Sequence, residues 1–241
     1  DSDWSSDVCS SDLFLITGVS SGFGRALAEA ALSDGHTVVG TVRNENDKQK
    51  FEALGEGVHA VILDVTDFGA IAPAVADVER TIGAIGVLVN NAGYGHEGIL
   101  EESSIDDLRR QFEVNVFGLA RLTQLVTPTM RAQHSGRIVN ISSMAAITTY
   151  PYVAYKATKS AMIAFTEQLA YQNAQYGIRA NVILPGLMNT PMAVDTRARE
   201  FKKTRAEVEA ERDSKVPLRH KMGTGWDVAN AALFQIGRAH V

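Results

Sequence analysis

Leu13-Phe14-Leu15-Ile16-Thr17-Gly18-Val19-Ser20-Ser21-Gly22-Phe23-Gly24 is the stretch that decides the architecture. Its first five residues are a short, apolar run that reads as a buried strand, and from Phe23 to Ser33 the apolar positions recur at helical spacing. Between them lies a glycine turn. Such glycines permit a tight bend and let the backbone approach a pyrophosphate, which rests on the N–H groups and positive dipole of the helix start. The spacing, Gly18-x-x-x-Gly22-x-Gly24, differs from the commoner Gly-x-Gly-x-x-Gly, and a glycine cluster alone also fits an ordinary strand-to-helix turn.

Working outward, the runs 37–42, 58–63, 87–90, 137–141 and 179–184 read as further strands, too short for helices. The segments 23–33, 45–54, 68–82, 105–133 (two helical pieces) and 152–176 carry helical apolar spacing between them. Strand and helix alternating in this way imply right-handed crossovers: a single Rossmann-type, doubly wound α/β domain with a parallel sheet and helices on both faces. After Pro185 the alternation stops. Residues 190–212 are charged and helical, 214–225 irregular, and 226–234 a last amphipathic helix, so the sheet is expected to lack a final strand.

Of 241 residues, 45% are hydrophobic and 21% charged, which suits one globular domain. The net charge of −5 comes without a basic block, so no nucleic-acid partner is expected. No long apolar run and no secretory pattern occur, and the lone cysteine, Cys9, cannot form an internal disulfide. A cytoplasmic protein with no membrane association and no metal is the expectation. The domain is read as 13–234. The ends, 1–12 and 235–241, are expected to be non-native: Asp7–Leu13 and Gln235–Val241 can be encoded by one nucleotide sequence read in opposite senses, and that sequence resembles a sequencing adaptor.

Two features agree with a nucleotide site. Asp64, with Val65, ends the third strand, where its carboxylate can accept from an adenine amino group or, equally, Asp64 or Asp67 can cap the next helix. Asn90-Asn91-Ala92-Gly93 ends the fourth strand at the carboxyl edge of the sheet, where such folds bind ligands, though it also fits a plain turn. In many NAD-binding folds an acidic residue about twenty positions past the glycines binds the ribose 2′-hydroxyl. Here Val42 takes that place and Arg43 follows, a guanidinium suited to a 2′-phosphate, so NADP(H) is preferred over NAD(H).

Tyr155 and Lys159 are separated by one turn of a helix and share a face. A phenol titrates near pH 10, and lowering it by about three units takes roughly 4 kcal/mol. An ammonium about 4 Å away supplies a comparable amount at an effective dielectric of about 20. Lys156, on another face, reads as a solvent-facing bystander. Upstream, the strand 137–141 ends in Ser142-Ser143, where a hydroxyl can hold a substrate carbonyl oxygen. Asn115 interrupts an apolar helical stretch; a buried amide needs partners, which a water leading to Lys159 would supply.

As a set these residues, together with Pro185-Gly186 and Thr190, resemble the short-chain dehydrogenase/reductase family. The resemblance implies Tyr155 as acid/base, Lys159 lowering its pKa and binding the nicotinamide ribose, Ser143 polarising the carbonyl and Asn115 holding a relay water. It implies cofactor contacts from Gly18, Ser20, Ser21, Gly22, Phe23, Gly24, Arg43, Asp64, Val65, Asn91, Ala92, Gly93, Tyr155, Lys159, Pro185, Gly186 and Thr190. It further implies hydride transfer to or from a small ketone or secondary alcohol, a substrate lid after Thr190, and a homodimer or homotetramer formed through 105–133 and 152–176. Thirteen residues before Tyr155 the family's serine would be Ser142, whereas its place after the strand indicates Ser143, which is chosen here. Tyr94, His96, Ile147, Tyr150, Tyr152, Leu187 and Met192 are candidates for the substrate pocket. A catalytically silent nucleotide-binding protein of the same fold is the alternative, and the Asn-Ser-Tyr-Lys set disfavours it; an epimerase or dehydratase of the extended relatives is a third reading, disfavoured by the glycine spacing and short length.

Overall fold

The computed structural model describes residues 12–237, so most of the two ends expected to be non-native, Cys9 included, lies outside the described residues. Six strands, β1 (Leu13–Ile16), β2 (Thr37–Val42), β3 (Val58–Ile62), β4 (Val87–Asn90), β5 (Gly136–Ile141) and β6 (Ile178–Ile183), form one sheet in the order β3-β2-β1-β4-β5-β6. Every pairing is parallel. The order reverses between β1 and β4, so their carboxyl ends diverge into the crevice where doubly wound sheets hold ligands.

Alternation along β1 builds both cores. Phe14 and Ile16 face α1 (Gly22–Ser33) and α9 (Gly225–Gln235), packing with Leu27, Ala28, Val228 and Ala229. Leu13 and Leu15 face the opposite layer, with Val75 and Val78 of α3 (Phe68–Thr81) and Leu122, Val126 and Met130 of α5 (Gly118–Ala132). Burying each such side chain contributes roughly 1.5–3 kcal/mol, which makes the register costly to slip. The short α2 (Glu45–Glu52) follows β2 and buries Phe51 alone.

The segment expected as two helical pieces is α4 (Ile105–Phe112) and α5, joined by a π-helical turn over Glu113–Phe117 with Asn115 at its centre. The long helix α6 (Val153–Asn173) tightens into a 3₁₀ turn and ends at Gly177, whose φ of 69° favours glycine and where a Cβ would stand 2.5 Å from the His134 carbonyl oxygen. The charged stretch 190–212 divides into α7 (Pro191–Glu200) and α8 (Arg205–Asp213). Val194, Val208 and Met222 give this region a small core of its own, against which Leu187 packs. Leu187, expected in the substrate pocket, is partly buried against this small core and does not line the cleft described below.

Among the described residues no seventh strand flanks β6, as expected. Helix α9 runs through Gln235, past the boundary at 234, and Arg179 donates to the carbonyls of Gln235 and Ile236. No described helix is long and apolar enough to cross a membrane.

Candidate active site

The glycine loop is shaped from outside itself. Thr17 Oγ1 accepts from the amides of Asn91 (3.0 Å) and Ala92 (2.8 Å), while Asn91 Nδ2 donates to the carbonyls of Thr17 (2.8 Å) and Gly18 (3.0 Å). From the other side Thr41 accepts the Gly18 amide on its hydroxyl and the Val19 amide on its carbonyl. Gly18 and Gly22 have φ of 72° and 63°. A Cβ on Gly24 would stand 2.3 Å from the Gly18 carbonyl oxygen, so the helix start is pressed against the loop as only glycine permits. Ser21, at the N-cap of α1, makes no side-chain capping bond.

This loop opens into a cleft of about 480 Å³. Ser20, Ser21, Gly22 and Phe23 line it beside Gly18, with Arg43, Asp64 and Val65 from the ends of β2 and β3, Asn91, Ala92 and Gly93 after β4, and Tyr155, Lys159 and Thr190. The remaining sequence-predicted residues lie around it. Gly24 is beneath the loop, and Pro185 holds the Met144 amide through its carbonyl (3.0 Å) next to Gly186. Asp67, not Asp64, caps α3, accepting from Ala70. Asp64 Oδ1 accepts from the amide (2.9 Å) and hydroxyl (2.7 Å) of Thr66. The Thr66 amide above all, then its hydroxyl and the nearby Arg43 and Arg110, hold the Asp64 carboxyl below its ordinary range against the opposing effect of burial.

The two adjacent serines part company as strand alternation requires. Ser142 is buried and donates to the Lys159 carbonyl at 2.7 Å. Ser143 accepts from the Ala145 amide (3.1 Å) and lies near enough to the Tyr155 phenol to act on its titration, while Ser142 is the serine that lines the cleft. Lys159 differs from expectation. It is 5% exposed, its Nζ donates to the Ile141 carbonyl at 2.8 Å, and it lies 5.7 Å from the centre of the Tyr155 ring. Burial holds its ammonium at about 8. Burial likewise pushes the Tyr155 phenol up, opposed by the Ser143 hydroxyl and by the Arg197 guanidinium. The expected lowering of the phenol by Lys159 is thus not what this geometry produces, because desolvation acts on both groups.

Asn115 is fully buried, and its side-chain amide is bonded to protein. Oδ1 accepts from the Tyr94 amide (3.1 Å), and Nδ2 donates to the Tyr94 carbonyl (3.0 Å) and the Thr158 hydroxyl (3.2 Å). Gln111, one turn earlier and equally buried, grips the same loop: it donates to the Tyr94 carbonyl and accepts from the His96 amide, both at 2.6 Å. Lys156 is no bystander either. Its ammonium fans onto the carbonyls of Ala145 (3.2 Å), Ala146 (3.3 Å) and Thr148, pinning the segment after Ser143.

Of the substrate-pocket candidates, Tyr94 and Met192 line the cleft. The Tyr150 ring lies 5.6 Å from Tyr155 and 5.4 Å from Tyr152, His96 bonds Ser103 at 2.9 Å, and Ile147 is solvent-exposed. Sequence reasoning missed the charged pair that joins them: Arg197 of α7 meets Glu97 at 2.6 Å, both about one-fifth exposed. Burial above all pushes the Glu97 carboxyl up, and Arg197 opposes it. One hundred residues separate the two, and no local pattern marks either.

A family model for the short chain dehydrogenase matches residues 12–200. The chain belongs to the short-chain dehydrogenase/reductase family, a class of NAD(P)-dependent oxidoreductases. It is 36% identical over 184 residues to an NADPH-dependent 3-dehydrocapnine reductase of Ornithobacterium rhinotracheale, covering 73% of this chain and 65% of that protein. The chain thus spans just under two thirds of that relative's length. It is 32% identical to the 2-(R)-hydroxypropyl-CoM dehydrogenase of Xanthobacter autotrophicus over 92% of this chain and 90% of the other. Among solved structures, ElxO with NADP bound superposes with a TM-score of 0.86 at 28% identity, covering 96% of this chain and 93% of that one.

Proposed function

We propose that this chain is an NADP(H)-dependent oxidoreductase that moves hydride between nicotinamide C4 and a ketone or secondary alcohol of modest size, with Tyr155 as general acid and base. One observation carries the reading: Tyr155 and Lys159 stand in the same cleft as the glycine loop. The residues suit the dinucleotide. The cleft falls in the range of small-molecule sites, and a Cβ on Gly22 would meet nothing nearer than Thr190 at 4.0 Å, which leaves the α1 start approachable by phosphate. Bound there, the dihydronicotinamide would supply the hydride.

In the reducing direction the chain's own task is to deliver a proton. Burial keeps the Tyr155 phenol neutral, so the acid is loaded before substrate arrives. The Ser143 hydroxyl stands beside it to hydrogen-bond the same substrate oxygen, sharing the charge that develops as Tyr155 gives up its proton. Lys159 borders Gly93 on the cleft floor and is assigned to the nicotinamide ribose. Asn115 and Gln111 hold the Tyr94–His96 backbone, which keeps Gly95 against the Tyr155 ring.

Arg43 is assigned to the 2′-phosphate; the NADPH-dependent relative and the NADP-bound neighbour support NADP(H) as the preferred cofactor. Exposed Ile105, Phe117, Val153 and Tyr171 on the α4–α6 surfaces support assembly as a homodimer or homotetramer, and cytoplasmic residence belongs to the same reading. The decisive test is a carbonyl panel with NADPH and NADH, with Tyr155→Phe as control. Turnover of NADPH that Tyr155→Phe abolishes supports the proposal. Cofactor binding without turnover of any carbonyl would favour a silent nucleotide-binding protein. An unchanged NADPH/NADH preference in Arg43→Ala would refute the phosphate role.

A further inference from the structure

We infer that Arg110, a residue on α4 outside the expected site, closes the adenosine end of the cleft and lies across the face of the adenine ring. The inference rests on the dinucleotide reading above. It starts from two successive arginines in unlike circumstances. Arg109 donates to Asp106 at 3.0 Å, an ordinary exposed helix pair. The Arg110 guanidinium has no ion pair and no hydrogen bond among the described residues, although Asp106, Asp107 and Glu113 all lie within one turn of it. Asp106 is taken by Arg109, and Asp107 is taken by the capping box with Ser104, to which it is bonded at 2.6 Å through the hydroxyl and 3.2 Å through the amide. Arg110 instead lines the cleft.

What surrounds each guanidinium at this end separates their roles. Arg43 follows β2, two residues past Thr41, which is itself bonded to the glycine loop. It lines the cleft together with the hydroxyl residues Ser20, Ser21 and Thr66, a composition suited to phosphate. Arg110 precedes Val114 by one turn on the same helical face, and Val114 and Val65 line the same part of the cleft near Asp64. In this inference the two valines and the planar cation, all three lining the cleft, bound a slot. Such a slot takes an aromatic base: apolar contact from the valines, and a guanidinium over the ring face, which an arginine's plane allows and a lysine's point charge does not. Asp64, within electrostatic reach of both arginines, is left at the edge of that slot. Arg43 would thus read the part of the cofactor that differs between NADPH and NADH, and Arg110 the part they share.

Isothermal titration of the full chain with NADPH and with NADH tests this without turnover. Arg110→Ala should weaken both cofactors alike, by about threefold to fivefold, the scale of an exposed cation–π contact. Arg43→Ala should weaken NADPH alone. Unaltered affinity for both cofactors in Arg110→Ala would overturn the inference, as would a loss confined to NADPH, which would make Arg110 a phosphate ligand. Full recovery in Arg110→Lys would reduce its role to that of a point charge and equally overturn it. A parent chain that binds neither cofactor would overturn the dinucleotide reading itself, whereas a parent that binds and an indifferent Arg110→Ala would sink only the role of Arg110.

Discussion

At the glycine loop the cleft is shaped by main chain, and by Thr17, Thr41 and Asn91, whose side chains bond to main chain. Around Tyr155, by contrast, side chains on separate segments gather: Ser143 after β5, Tyr150 before α6, and the Glu97–Arg197 pair joining the loop after β4 to α7. The first end is fixed by geometry, and a change there costs fold and binding together. The second is adjustable, and a change there can alter chemistry or substrate choice while binding of the cofactor survives.

Four substitutions test that contrast. The largest effect is expected from Tyr155→Phe, which should lower kcat by roughly 10²–10⁴-fold, the range for a lost general acid, with NADPH affinity within about twofold of the parent. A comparable loss of affinity would show the two ends to be less separable than described. Next is Gly24→Ala. Because its Cβ would collide with the Gly18 carbonyl, it should weaken NADPH binding and lower the Tm together, at a cost of about 1–3 kcal/mol, measurable by denaturant melts. Unchanged stability would mean the loop yields.

Glu97→Gln should be milder: it weakens the partner of Arg197, and KM for the carbonyl should change several-fold while the Kd for NADPH stays put. Steady-state kinetics beside titration checks this. The smallest effect concerns Lys159. Its folded-state pKa of about 8 lies below the ordinary lysine value of 10.5, so between these pH values the unfolded chain holds a proton that the folded chain has shed. Stability contributed at this site therefore rises with pH across that window. Denaturant melts at pH 8 and pH 10 should show the parent gaining relative to Lys159→Met; a parallel response would place the Lys159 pKa elsewhere.

The fold was almost wholly legible, because period-two and period-3.6 apolar patterns are local and both faces of the sheet are buried. Strand ends fell within a residue of expectation. Positions around the cleft were legible where a motif ties them to the end of a strand, as with Asn91 after β4 or Asp64 after β3. What local pattern cannot carry is contact between distant segments. Nothing near Glu97 announces Arg197, and nothing near Gln111 announces that its amide grips the backbone at Tyr94 and His96. Lys156 looked idle because helical phase says which face a residue occupies, and not that a loop will fold back over that face. At Tyr155 and Lys159 the spacing carries the attraction between the two groups but not their burial, which is the leading influence on both.

The bonds from Thr17 and Gly18 to Asn91 and Ala92 have a consequence for how the chain folds. They span 73 to 75 residues, so a loop that is continuous in sequence has nothing to mould it until β4 has come to lie beside β1. Contacts of such separation form late, since loop-closure entropy must be spent before they return anything. The cradle should mature with the centre of the sheet rather than with the helix it introduces. A dinucleotide that recognises only the finished cradle would then draw the chain toward its native state by mass action, acting in effect as a thermodynamic chaperone for the enzyme that uses it.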